Sequence, residues 1–189
     1  MTITRFFSVG STFLCACALL IAATVCQPVR SENMVSADNG YLDGLLGEWD
    51  MVGMIRGQPV RYRAQGERVI QGSFLRLNMV DVEVPPRYEA EVFIGFDASA
   101  GDYVTHWLDR FGAGGARVVA TGKRDGERLV IIFPYAENPF RDTFTFEPKA
   151  RTWSLLLEAQ GRDGSWSTFA AYKLVRPVID TSTKSGGGQ

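Results

Sequence analysis

The chain has 189 residues, of which 46% are hydrophobic and 22% charged. This composition excludes a disordered or collagen-like chain, and the length suits one main domain. A formal net charge of −1 provides no bulk attraction to nucleic acid, so no nucleic-acid partner is predicted. A single histidine and three cysteines leave few ligands for a metal cluster, and we predict no metal site.

The N-terminal segment has the layout of an export signal. Arg5 precedes the run 6–26, which contains no charged residue. A basic start followed by an apolar run is typical of a secretory signal peptide, although the same length could remain as a membrane anchor. We predict a signal peptide and leader over residues 1–37 and a periplasmic or secreted protein. Contact with a membrane is expected only through this segment, if it is uncleaved or lipidated.

All three cysteines, Cys15, Cys17 and Cys26, fall in that segment. Cys26 lies at a suitable depth for lipidation, but Val25 is large for the position before a lipidated cysteine. Lipidation at Cys26 and a plain cleaved leader therefore both remain open. The exported domain has no cysteine, and so neither a disulfide nor a thiol nucleophile.

Short runs rich in β-branched and aromatic residues follow one another from about Leu45 to Arg176, with turn residues between them. Asp-Gly pairs at 125–126 and 163–164 indicate tight hairpins. Because the links are short, we predict an all-β, up-and-down antiparallel barrel over residues 38–176, followed by a disordered tail over 177–189. The predicted strands are 47–56, 60–70, 73–83, 88–97, 103–110, 116–122, 127–134, 140–147, 152–161 and 165–175.

The parity of a meander separates the two ends of this barrel. The loops after the odd-numbered strands include the longest Pro- and Gly-rich links, and we expect them to surround an open mouth. The segment 38–46 is expected to form a helical turn whose Tyr41, Leu42, Leu45 and Leu46 plug the other end.

Several short motifs resemble a known family. Leu46-Gly47-Glu48-Trp49 resembles the Gly-x-Trp signature of lipocalins and calycins. Together with Gln71–Leu75, Ile94–Asp97, Trp107–Asp109 and Tyr172…Arg176, it resembles a bacterial lipocalin-like family of unknown function. The resemblance implies a closed calycin-type barrel without an established reaction. Gly47, Trp49 and Arg176 form its structural signature, and strand parity places the Arg176 guanidinium beside the Trp49 indole.

Calycin barrels of the nitrobindin type resemble this chain in strand number, but they ligate haem through a histidine late in the barrel. The only histidine here, His106, lies on the fifth strand. This departure argues against haem, and we predict no cofactor.

Four residues are candidates for ligand binding: His106, Tyr62, Trp107 and Tyr135. His106 is the only side chain that ordinarily titrates near neutrality, and the alternative for it is a half-buried imidazole without a role. No catalytic set of residues is apparent. We therefore predict a small apolar or amphipathic ligand inside the barrel. The alternatives are an enzyme acting on such a molecule, and a structural module whose barrel is filled by its own side chains.

The strand 127–134 is apolar on both faces over Leu129–Phe133. The outward face then needs a cover, such as a second copy of the chain or a membrane surface. The sequence thus predicts a homodimer through this strand, the alternative being a strand shielded by neighbouring side chains.

Overall fold

The computed structural model describes residues 40–178. The predicted leader and most of the predicted C-terminal tail lie outside these residues. Within 40–178, no helix has the length and apolar character needed to cross a bilayer. The strands are β1 Gly47–Ile55, β2 Gln58–Val69, β3 Phe74–Asp81, β4 Glu89–Asp97, β5 Asp102–Asp109, β6 Val119–Asp125, β7 Arg128–Phe133, β8 Phe140–Glu147, β9 Thr152–Gln160 and β10 Trp166–Val175.

The ten strands form a closed antiparallel barrel, which confirms the predicted fold class. Each strand pairs with the next in sequence, and β1 pairs with β10 to complete the circle. Met51 shows the closure, because it lies opposite Leu174 on one side and Tyr62 on the other. The predicted Asp-Gly hairpins are present, and Gly126 and Gly164 adopt the positive φ values of 56° and 81° that such turns require.

Strand alternation divides each strand between the barrel interior and the outer wall. In β4, for example, Ala90, Val92 and Ile94 are buried, whereas Glu89 and Glu91 face outward. Because the sheet closes on itself, every inward side chain joins one core. Trp49, Trp153, Tyr103 and Phe144 are the largest fully buried members of that core.

The boundary of β6 differs from the prediction. The sequence predicts a strand over 116–122, whereas β6 runs from Val119 to Asp125. Residues Gly115–Arg117 form a 3₁₀ turn instead, and the chain becomes extended only at Val118. The glycine-rich stretch before this turn lengthens the β5–β6 loop. As a result, β6 begins later in the sequence, nearer to the hairpin that joins it to β7.

A helical turn over residues 40–43 closes one end of the barrel, which we call the base. Leu42 and Leu45 are fully buried there. The Tyr41 hydroxyl donates to the Phe144 carbonyl at 3.2 Å, and the Trp153 indole donates to the Gly44 carbonyl at 3.0 Å. The apolar plug predicted from the sequence is therefore present.

The Gly-x-Trp motif joins the plug to the last strand. The Arg176 guanidinium lies 3.6 Å from the centroid of the Trp49 ring, as strand parity predicts. It also donates to the Leu46 carbonyl at 2.8 Å. Gly47 has a φ of +91°, and a Cβ there would lie 2.9 Å from the Arg176 Nη1. Glycine is therefore required where the guanidinium crosses the start of β1.

Replacing Arg176 by alanine should lower the free energy of unfolding by about 1 kcal/mol, because a cation–π contact and backbone hydrogen bonds are lost together. Urea unfolding followed by tryptophan fluorescence measures this change. Arg162→Ala, in the exposed β9–β10 turn, is the matched control and should change stability by less than about 0.5 kcal/mol. Equal effects of the two substitutions would mean that the contacts of Arg176 with Trp49 and the Leu46 carbonyl do not stabilise the barrel.

Candidate functional site

The end of the barrel opposite the base is formed by the loops that follow β1, β3, β5, β7 and β9, and we call it the mouth. The helical turn covers the base, so the mouth is the end through which a ligand could reach the interior. Phe111, in the β5–β6 loop, is 79% exposed at this end.

Aromatic side chains surround the inside of the mouth, and we call this set the mouth ring. The Tyr62 ring lies 6.0 Å from Tyr172 and 5.7 Å from Tyr88 between centroids. Tyr88 in turn accepts a hydrogen bond of 3.2 Å from the Trp107 indole. From Trp107 the ring contacts continue at centroid distances of 5.2–6.3 Å through Phe133, Tyr135, Phe140 and Phe169.

Gly53 of β1 determines the position of Tyr172 in this ring. The two residues are directly opposite in the β1–β10 ladder. A Cβ at Gly53 would lie 2.7 Å from the Tyr172 ring, which is too close for any other residue. The absence of a side chain on β1 thus lets the phenol lie against the strand and reach Tyr62.

The phenol groups of the mouth ring interact with one another and with Asp109. Tyr88 donates to the Asp109 carboxylate at 3.4 Å, and the backbone N–H of Phe111 donates to the other oxygen of Asp109 at 3.0 Å. The Tyr62 and Tyr172 rings pack edge to face, and their phenols interact electrostatically. Burial raises the pKa of all three tyrosines, so the phenols keep their protons at neutral pH.

Asp142 lies on the inner side of β8, one inward position deeper than Phe140. Its side chain is almost completely buried, and its Oδ1 atom has no hydrogen-bond partner among the described residues. Burial raises the pKa of this carboxyl to about 8, because the ionised form loses its hydration. Buried polar groups in proteins are nearly always hydrogen-bonded, so an unpartnered carboxyl oxygen needs an explanation.

The carboxyl of Asp142 faces the lower side of the mouth ring. It interacts electrostatically with the phenols of Tyr135 and Tyr172, and it contributes to the raised pKa of each, after burial. Thr105, one inward position deeper than Trp107, has a second buried oxygen without a hydrogen-bond partner in the described part of the chain. Two polar atoms without hydrogen-bond partners among the described residues therefore lie beneath the mouth ring.

Three of the four ligand-binding candidates from the sequence come together in the mouth ring. Tyr62 and Trp107 project inward from β2 and β5, and Tyr135 follows β7. Arg61 and Arg63, which alternate with Tyr62, are exposed on the outer wall. The role of these three aromatic residues in ligand binding stays a prediction.

The fourth candidate, His106, lies apart from the others on the outer face of β5. Its Nε2 is 2.6 Å from the carbonyl oxygen of Ala116. A carbonyl can only accept, so Nε2 carries the proton and donates to it. The contact ties β5 to the 3₁₀ turn in the β5–β6 loop. His106 is therefore not placed to ligate a haem inside the barrel.

Asp142 was not recognised from the sequence. It stands between Arg141 and Thr143, both polar, which makes this part of β8 resemble a solvated stretch. The signal was nevertheless present, because Phe140, Asp142 and Phe144 are two residues apart and so share one face. The aromatic neighbours indicate that this face is the inner one.

The outer wall carries two features away from the mouth. A groove of about 270 Å³ lies beside β1–β3, and Arg63 at its edge is paired with Asp50 at 3.2 Å. No buried, unpartnered side chain points into this groove among the described residues. Elsewhere, Ile132 and Val119 expose apolar surface on β7 and β6. The homodimer through residues 127–134 would use that surface, and it stays a prediction.

Comparison with known proteins does not identify a family. The chain matches no protein-family model, and no curated protein shows significant similarity to it. The closed ten-stranded barrel is compatible with a calycin-type fold.

Replacing Asp142 by asparagine should alter how stability depends on pH. The folded-state pKa of about 8 lies above the ordinary value of 3.8, so the folded protein holds a proton that the unfolded chain loses between those pH values. The contribution of this proton to the free energy of unfolding is fully present below about pH 4. It falls as pH rises toward 8, by at most about 1.4 kcal/mol per pH unit. Asp142→Asn should remove this decline.

Urea unfolding at pH 5, 6, 7 and 8 tests this prediction, with the difference between wild type and variant as the measured quantity. The stability of wild type relative to Asp142→Asn should fall steadily over that range. Glu137→Gln, in the exposed β7–β8 loop, removes a carboxylate without touching the interior and should show no such trend. A difference that stays constant with pH would mean that Asp142 is ionised throughout.

Proposed function

We propose that this chain is an exported, lipocalin-like protein that binds a small amphipathic molecule in the mouth of its barrel. The observation that carries the proposal is the unpartnered carboxyl of Asp142 beneath the mouth ring. Ligand sites are commonly apolar and aromatic, with a few polar groups that fix the orientation of the ligand. The mouth has this composition.

The contrast between the two ends of the barrel supports this location. At the base, Tyr41 and Trp153 pack edge-to-face at 5.0 Å, and both donate hydrogen bonds to backbone carbonyls. The polar groups of these two base residues are thus satisfied. At the mouth, Asp142 and Thr105 each have a buried oxygen that is not hydrogen-bonded within residues 40–178, so a ligand bound there would gain hydrogen bonds that these residues do not make themselves.

The loop residue Phe111 supplies a means of access. Its ring lies 6.1 Å from Tyr88 and is largely exposed. Gly112, which follows it, has a φ of +86°. The next four residues are all glycine or alanine, and a Cβ added at Gly114 or Gly115 would meet no atom within 4 Å. Phe111 can therefore move away from Tyr88 without breaking a strand ladder.

Export and family membership rest on the sequence. The basic start and the uncharged run 6–26 support a periplasmic or secreted location. The Gly47, Trp49 and Arg176 contacts support a lipocalin-like assignment, because they give the Gly-x-Trp motif a physical role in closing the barrel. The outward position of His106 argues against haem as the ligand.

An enzyme acting on the bound molecule is the second candidate function. Asp142 favours it, because a carboxyl with a pKa of about 8 can give or take a proton near neutrality. A turnover that is lost in Asp142→Asn but not in Glu137→Gln would support catalysis.

Binding in the mouth can be measured with the neutral, environment-sensitive dye Nile red. Tyr135→Ala and Phe169→Ala should each weaken its affinity about three- to tenfold, because each removes aromatic contact surface from the mouth ring. Ile132→Ala and Val52→Ala remove exposed apolar surface from the outer wall and serve as controls that should change affinity less than twofold.

Native mass spectrometry of the exported protein, purified without added ligand, complements the dye. A co-purified small molecule would identify the natural ligand class. A bare protein that also fails to bind Nile red would support the solid structural module instead.

A further inference from the structure

We propose that the ligand carries a positively charged amine or quaternary ammonium group, which binds between the carboxyl of Asp142 and the aromatic faces of the mouth ring. This inference rests on the proposed function and specifies the ligand class of the same site. It follows from three features of the mouth: a buried acid without a partner, the absence of a cation beside it, and π faces above it.

No basic side chain of the described chain neutralises Asp142. Burial is the cause of its raised pKa, and no nearby cation of the described residues lowers that pKa. Its neighbour Arg141 is directed outward, where it pairs with Glu158 at 2.7 Å and lies 4.5 Å from the centroid of Trp166. A buried carboxyl gains most from a partner of opposite charge, and no side chain of residues 40–178 supplies that partner.

The other carboxylates at the mouth increase the preference for a cation. Asp109 accepts hydrogen bonds from Tyr88 and from the Phe111 backbone, and no ion pair to it is present within residues 40–178. Asp81 is mostly buried beside Tyr62 and is paired with Arg87 at 3.3 Å. Arg87 itself is exposed, as is Arg56 at the rim, so water and salt screen their charge.

The aromatic faces supply the second half of the site. Cations are attracted to the π faces of tyrosine and tryptophan, and several such rings around one acidic group form a cage for ammonium groups. The rings of Tyr88, Tyr62 and Tyr172 follow one another at centroid distances of 5.7 and 6.0 Å, and Tyr172 is the member of this set that interacts electrostatically with Asp142. Trp107 extends this surface through its hydrogen bond to Tyr88.

Competing ligand chemistries fit the same residues less well. An anionic group would meet the carboxyls of Asp142 and Asp109 without a buried cation to receive it. A neutral acceptor could take a hydrogen bond from protonated Asp142, but it would gain nothing from the electrostatic field of the rings. These two classes are the alternative outcomes of the test.

Three probes of nearly equal shape separate the classes: benzyltrimethylammonium, its neutral isostere neopentylbenzene, and the anion phenylmethanesulfonate. Binding to the mature protein is measured by isothermal titration calorimetry at pH 7.5. We expect the ammonium probe to bind at least tenfold more tightly than neopentylbenzene, and the sulfonate to bind most weakly. Asp142→Asn should reduce the preference for the ammonium probe over neopentylbenzene to about twofold or less.

Glu137→Gln removes the same charge from the exposed rim of the mouth and should retain the full preference. Tyr62→Leu, which removes a π face but keeps an apolar side chain, should weaken the ammonium probe more than the neutral one. If wild type prefers neopentylbenzene or the sulfonate, the cationic ligand is wrong although binding in the mouth stands. If none of the probes binds and Nile red also fails to bind, the proposed function itself fails.

Discussion

The ladder between β1 and β10 is the constraint on which the other features of this protein depend. It converts a ten-stranded meander into a closed wall, so that alternate side chains enter a single interior and no strand edge is left unpaired. The same ladder places Arg176 over Trp49 and Tyr172 against Gly53. One set of strand pairs thus fixes both the plug at the base and the first tyrosine of the mouth ring.

Strand alternation and turn residues were sufficient to predict the fold class and most strand boundaries. They succeed because the hairpin links are short. Each strand then lies beside the next one in sequence, and pairing between the two is the simplest arrangement. The error at β6 arose where the chain uses a 3₁₀ turn, whose residues Gly115–Arg117 have no apolar pattern. Tyr62 and Trp107 were candidates from the sequence, and both lie on the inner face of the barrel.

The remaining site residues depend on which side chains face one another across the barrel, and this is not encoded in any local pattern. Tyr135 lies in the loop before β8 and Tyr172 lies on β10, and both interact with Asp142 of β8. His106 shows the opposite case, since it is conspicuous in the sequence but lies on the outer wall. A rare residue type identifies unusual chemistry only when the strand register turns it inward.

The burial of Asp142 without a hydrogen-bond partner for its Oδ1 among residues 40–178 is the strongest physical argument for a function of the mouth. A leucine or phenylalanine at that position would continue the pattern of β8 and avoid the cost of burying a carboxyl, which mutational data put at roughly 1–3 kcal/mol for a polar group without a partner. Almost every other inward position of the barrel is apolar or makes its own hydrogen bonds. Residues that break such a pattern are concentrated at functional sites, because a bound ligand can supply the interactions that the folded protein lacks there. In the function that we propose, the unsatisfied oxygen of Asp142 is half of an interaction that a ligand completes.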